Sequence, residues 1–171
     1  IYWLEHFGGG DDVVGSVAAY ARFLADAQLK SGAVPTYLLA DLQPASQLMQ
    51  SATTAISGAV LAKAAKLFDD PKLEAAAIAA GRFVDEQILP ELIFYDFETF
   101  YSSSPKPLHW IDLQTGIRPQ NNLCLQWACD QFLALFGLTG DAHWLCRGEY
   151  LMSLLSLYQQ VWSPPQVDAD V

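Results

Sequence analysis

Asp96 and Glu98 stand two positions apart in a run that alternates with aromatic residues, Phe94-Tyr95-Asp96-Phe97-Glu98-Thr99-Phe100-Tyr101. A period of two predicts a short extended segment, with both acids on one face and Cα atoms about 6–7 Å apart. Carboxyl groups so spaced are candidates to flank a glycosidic bond as general acid and its catalytic partner. Glu98 is the preferred acid, because flanking aromatic rings would desolvate it and raise its pKa. Helix capping, or pairing with Arg118 or Lys106, would account for the same carboxylates without catalysis.

The acids belong to a connector, from Ile88 to Pro119, that is too long for an ordinary link between helices. Tyr95, Tyr101 and Trp110 are candidate sugar platforms, since flat rings with polar tips suit sugar faces. Phe94, Phe97 and Phe100 are expected to anchor the connector to the scaffold. His109 is either a base or a solvated loop histidine. Arg118 could clamp Asp96 or Asp112, or hold an acidic sugar, and Asp112 itself joins the candidate binding residues. Asn121 and Asn122 are placed to cap the next helix, with amides that could also line a cleft floor. Tyr37 and Asp41 add a tyrosine and a carboxylate from an earlier loop. The histidines His6, His109 and His143 are scattered without ligand spacing, so neither a metal nor another cofactor is expected. No G-x-S-x-G, P-loop or dinucleotide fingerprint is present.

These residues need a scaffold, and the remaining sequence reads as helix. The chain has 171 residues, a 52% hydrophobic fraction and only 16% charged residues, which suits one folded domain, 1–171, and excludes a disordered one. A formal charge of −10 argues against nucleic acid and against an anionic membrane surface. No apolar run is long enough to span a bilayer. Cys124, Cys129 and Cys146 sit within helical patterns, and all three are expected in the core.

Apolar spacing predicts an amphipathic helix from Val13 to Lys30, with Asp11 or Asp12 as its N-cap. A helix from about Met49 to Phe68 has an uncharged middle and should be buried all round. Asp69-Asp70-Pro71 is a tight turn into an amphipathic helix from about Lys72 to Gln87, with Asp85 on its polar face. A second strongly apolar helix runs from about Gln120 to Leu138. Thr139-Gly140-Asp141 turns into the last, from about Ala142 to Val161, with Arg147 and Glu149 facing out.

Leu67-Phe68-Asp69-Asp70-Pro71-Lys72-Leu73 aligns with Leu138-Thr139-Gly140-Asp141-Ala142-His143-Trp144, which indicates repeated helical hairpins. Short turns then lie at one end of the array and both long loops at the other, where function is expected. With Ser31-Gly32-Ala33-Val34-Pro35-Thr36-Tyr37 and Ser51-Ala52-Thr53-Thr54-Ala55, these segments resemble the loop, inner helix, turn and outer helix unit of an (α/α)6 toroid of the six-hairpin glycosidase superfamily. The resemblance implies an all-α fold, part of such a toroid, whose loops bind glycan. It transfers no catalytic residue.

Five helices amount to roughly half of such a ring, so a fragment, completed by the rest of the toroid or by self-association, is expected. A glycoside hydrolase acting on a neutral saccharide is the first expectation. A polysaccharide lyase using Tyr95 or Tyr101 with His109, and a non-catalytic module binding glycan or protein, are its rivals. The acidic connector suits neutral sugars better than polyuronates.

Overall fold

Side-chain caps fix the starts of three of the helices. In the computed structural model, which describes residues 8–45, 50–94 and 121–158 together with Ile1, Leu4, His6, Ile111, Leu113 and Gly116, these ends are α-helical boundaries. The helices are α1 (Asp11–Ala27), α2 (Thr54–Phe68), α3 (Pro71–Phe83), α4 (Asn122–Thr139) and α5 (Ala142–Ser156), and a π-helical turn, Val84–Ile88, continues α3. No strand occurs among the described residues, and the class is all-α. None of these helices is long and apolar enough to cross a membrane.

Asp70 caps α3 by accepting from the Lys72 and Leu73 backbone N–H groups, with Pro71 in the first turn. Asp141 caps α5 by accepting from His143 N–H. The helix before each turn ends on a left-handed residue, Asp69 at φ 50° and Gly140 at φ 70°. Glycine adopts that conformation without the Cβ clash that burdens other residues. The two turns therefore share one construction.

α2 packs on α3 and on α4, α4 packs on α5, and α1 lies against α2 and α3. Leu61, Leu73, Phe94, Leu125, Phe132, Leu135 and Leu151 are buried within this assembly. Each such side chain contributes about 1.5–3 kcal/mol on burial. Phe132 stacks on Trp144 with centroids 5.7 Å apart. A Cβ on Gly81 would meet Leu135 Cδ1 at 2.3 Å, so that glycine admits the packing of α3 on α4.

Two lysines fix the direction of α2 relative to α4. Lys66 Nζ donates to the Gly137 carbonyl at 3.0 Å, and Lys63 pairs with Asp130 at 3.2 Å. Gly58, which precedes Lys66 in α2, abuts Gln131, which precedes Gly137 in α4. The helices run in the same sense, with the Asp69-Asp70 and Gly140-Asp141 turns together at one end. The starts of α2 and α4 lie at the other.

Several expectations change. The α1 N-cap is Gly10, while Asp11 and Asp12 occupy the first turn, where the helix dipole favours acids. Val13 and Tyr20, whose helical spacing with Ala21 and Leu24 would place them on the buried face, are exposed, and burial is confined to Ala21 and Leu24. The reason is that α1 is tied down by its C-terminal half, through Lys72–Asp26 at 2.6 Å and Gln28 Nε2 donating to Ala76 O at 2.8 Å.

α2 begins at Thr54, because Ser51 and Thr53 are committed to a turn. It is buried over most of its surface and α4 over one face only, so neither is buried all round: Ile56, Leu67, Leu123 and Leu133 are exposed. Cys124 and Cys129 are buried as expected, whereas Cys146 is exposed, because α5 turns that face away from α4. Asp85 does not face solvent. The wide π-helical turn carries it toward α5, where its carboxylate pairs with His143 Nε2 at 2.8 Å and Arg147 Nε at 2.7 Å. Arg147 is correspondingly held against the scaffold rather than facing freely out.

Candidate functional site

Both long loops are rooted at the end where α2 and α4 begin. The first is clamped through Thr54, whose Oγ1 accepts from Val34 N–H at 3.1 Å and donates to Val34 O at 3.3 Å. Gly32, at φ +91°, makes the approach possible, since a Cβ there would meet Ala79 O at 2.3 Å. The second is anchored by Phe94, fully buried as expected, whose carbonyl accepts from Asn121 N–H at 2.8 Å. That bond brings the two ends of the long connector together at the first turn of α4.

Of the candidate site residues, Tyr37, Asp41 and Asn121 are described. Tyr37 and Asp41 lie in a small hairpin-like turn closed by an isolated Leu38–Pro44 bridge, with Leu42 at φ 65°. Tyr37 is partly exposed, and its carbonyl accepts from Ala45 N–H. Asp41 is exposed, and its Oδ1 accepts from Gln43 N–H at 3.1 Å, which shapes the turn. Asn121 caps α4 by accepting from Leu123 N–H at 2.9 Å and Cys124 N–H at 3.3 Å. The catalytic candidates Glu98 and Asp96 lie outside the described residues. So do Tyr95, Tyr101, His109, Trp110, Asp112 and Arg118, and with them the expected extended segment.

Beside the first loop is a cleft of about 320 Å³ between α1, the loop and the start of α2. Tyr20 and Phe23 on α1, with near-parallel rings 6.4 Å apart, line it together with Pro35, Leu38 and Ile56. Thr36, Thr53 and Ser57 add hydroxyl groups to the same lining. Thr36 Oγ1, Thr53 Oγ1 and Ser51 Oγ form a closed triangle with edges of 2.6, 2.6 and 2.7 Å. No residue lining the cleft carries a charge at neutral pH, in a chain with a formal charge of −10.

These cleft residues were not among the sequence candidates. The available signal was the density of hydroxyls in Ser51, Thr53, Thr54 and Ser57, which reads equally well as small residues permitting close helix approach.

Other reactive groups are arranged structurally. Burial, and secondarily the neighbouring Asp130 charge, push the Cys129 thiol above its ordinary pKa, so it is a poor nucleophile at neutral pH. Its Sγ lies 3.6 Å from the Gly148 carbonyl. The Asp85, His143 and Arg147 cluster joins the π-helical turn to α5. Among the described residues, no group of three or more His, Cys, Asp or Glu side chains is placed to hold a metal ion. Compared with models of protein families, with curated proteins and with solved structures, the chain matches none.

Proposed function

We propose that the chain forms part of an (α/α)6 toroid of the six-hairpin glycosidase type. In this reading it acts as a glycoside hydrolase on a neutral oligo- or polysaccharide at the end where its long loops emerge. The supporting observation is the arrangement of loop roots. Lys66 and Gly137 hold the two short turns together, while the Val34–Thr54 and Phe94–Asn121 bonds root the long loops at the opposite end. Loops on a rigid scaffold are where binding and catalytic groups concentrate. The connector rooted at Phe94 and Asn121 carries Asp96, Glu98 and the aromatic residues around them. Glu98 is the proton donor in this reading and Asp96 its partner, with Tyr95, Tyr101 and Trp110 as the sugar platform.

Glu98→Gln tests the assignment, because it keeps the side-chain shape and removes the transferable proton. In the active protein, turnover should fall by about 10²–10⁴-fold while oligosaccharide affinity and melting temperature are retained. Near-normal turnover in a stable Glu98→Gln protein would end the acid assignment. A variant that loses stability and affinity together, but not its rate per bound substrate, would reduce Glu98 to a loop-ordering residue.

A further inference from the structure

We propose that the cleft between α1 and the first loop binds one neutral, ring-sized polyol, such as a single sugar residue, with its apolar face on Tyr20 and Phe23 and its hydroxyl edge on Thr36 and Thr53. A volume of about 320 Å³ lies at the small end of the range for ligand sites, roughly 300–1,000 Å³. That suits one ring rather than a chain of them.

The lining combines two kinds of chemistry. Tyr20, Phe23, Pro35, Leu38 and Ile56 offer contact area and, apart from the tyrosine hydroxyl, no side-chain polar group. Thr36 and Thr53, which also line the cleft, form with Ser51 a triangle that has three hydroxyl protons and three short contacts. A closed triangle uses every proton internally, each oxygen donating once and accepting once. Ser51 Oγ also accepts from Thr53 N–H at 3.3 Å, which occupies its remaining lone pair. Thr36 and Thr53 each keep one lone pair. The triangle therefore presents acceptors, and its natural complement is a ligand that brings O–H donors.

Charge narrows the class further. The lining has no cation for a phosphate or carboxylate and no carboxylate for an amine. Taking an unpaired charge out of water is costly, so a neutral ligand is selected. An apolar ring face backed by a hydroxyl edge fits both kinds of lining group, whereas a purely apolar ligand would leave the Thr36 and Thr53 acceptors desolvated without donors. The choice of sugars among neutral polyols rests on the carbohydrate reading above. The cleft itself does not depend on Glu98.

The test is titration of the whole chain, by calorimetry or ligand-observed NMR, with methyl glycosides of glucose, galactose and mannose. myo-Inositol serves as a non-sugar polyol and glucuronate as a charged counterpart. At least one neutral polyol should bind in preference to glucuronate. Phe23→Ala and Thr36→Val should each weaken it roughly tenfold or more, about the effect of one lost contact. Leu133→Ala, an exposed change on α4, should leave affinity unaltered. Ser57→Ala is the milder probe if Thr36→Val does not fold.

Glucuronate binding as well as the neutral ligands would overturn the proposal, as would no binding by any of the probes. Binding of a glycoside that Phe23→Ala and Thr36→Val, or Ser57→Ala in its place, leave unchanged would overturn the cleft assignment while leaving the carbohydrate reading intact. Binding of myo-inositol alone, sensitive to those variants, would keep the cleft and remove its link to glycans.

Discussion

Gln131 is fully buried, and neither atom of its amide has a hydrogen-bond partner among the described residues. It sits where α4 meets Gly58 of α2: a Cβ at position 58 would lie 2.0 Å from Gln131 Nε2 and 3.2 Å from the Ala80 Cβ. Leaving a polar group desolvated and unpaired costs about 1–3 kcal/mol. Replacement by an apolar side chain of similar length should therefore stabilise the protein, and Gln131→Met is expected to gain about 1 kcal/mol in urea titration. Gly58→Ala should do the opposite. Its helix-propensity gain of about 1 kcal/mol is outweighed by overpacking of about 1–3 kcal/mol. Truncating the amide with Gln131→Ala should then relieve Gly58→Ala, giving a coupling of about 1 kcal/mol or more in a double-mutant cycle. Additive effects would show that the amide is not what fills the space beside Gly58.

At the scale of the element, the turns are the best-specified parts of the chain. Asp141→Ala removes the bond to His143 N–H, and Asp70→Ala removes two, to Lys72 and Leu73. Each should cost about 0.5–2 kcal/mol, with Asp70→Ala the larger. Denaturation curves that match the parent for either variant would contradict the capping assignment. These turns were legible in the sequence because every partner lies within three residues, and the capping role of Asn121 was legible for the same reason. The beginning of α2 was not, since Ser51 and Thr53 are held by Thr36 from the preceding loop. Nor were the partners of Asp85, because helical periodicity gives a residue's phase but not the π-helical turn that changes it. Cys146 was misread because an apolar position on a helix says nothing of whether a neighbour covers it. The cleft was invisible because its walls come from three segments and meet only in the fold. The all-α class, by contrast, followed directly from the spacing of apolar residues.

Across the whole molecule, apolar side chains remain exposed along two margins. Val13, Val14, Tyr20 and Phe23 are exposed on α1, the last two lining a cleft with the exposed Ile56, while Tyr150, Met152, Leu157 and Tyr158 occupy α5 and the turn that follows it. Leu157 is 78% exposed and Met152 55%. Contiguous apolar surface favours association, whereas a formal charge of −10 opposes it through mutual repulsion. Salt separates the two effects. Charges are screened over about 10 Å at 0.1 M ionic strength and about 3 Å at 1 M, while apolar contact is not weakened by screening. Sedimentation velocity should therefore show self-association that rises with protein concentration and rises further with salt. Met152→Lys with Leu157→Lys should reduce it without lowering the melting temperature, since both side chains are already in water. Association that falls with salt would mean that charge pairing drives it. A monomer unchanged by concentration and salt would mean that these margins are ordinary solvated surface, and would remove the reason for expecting further hairpins or a second copy to cover them.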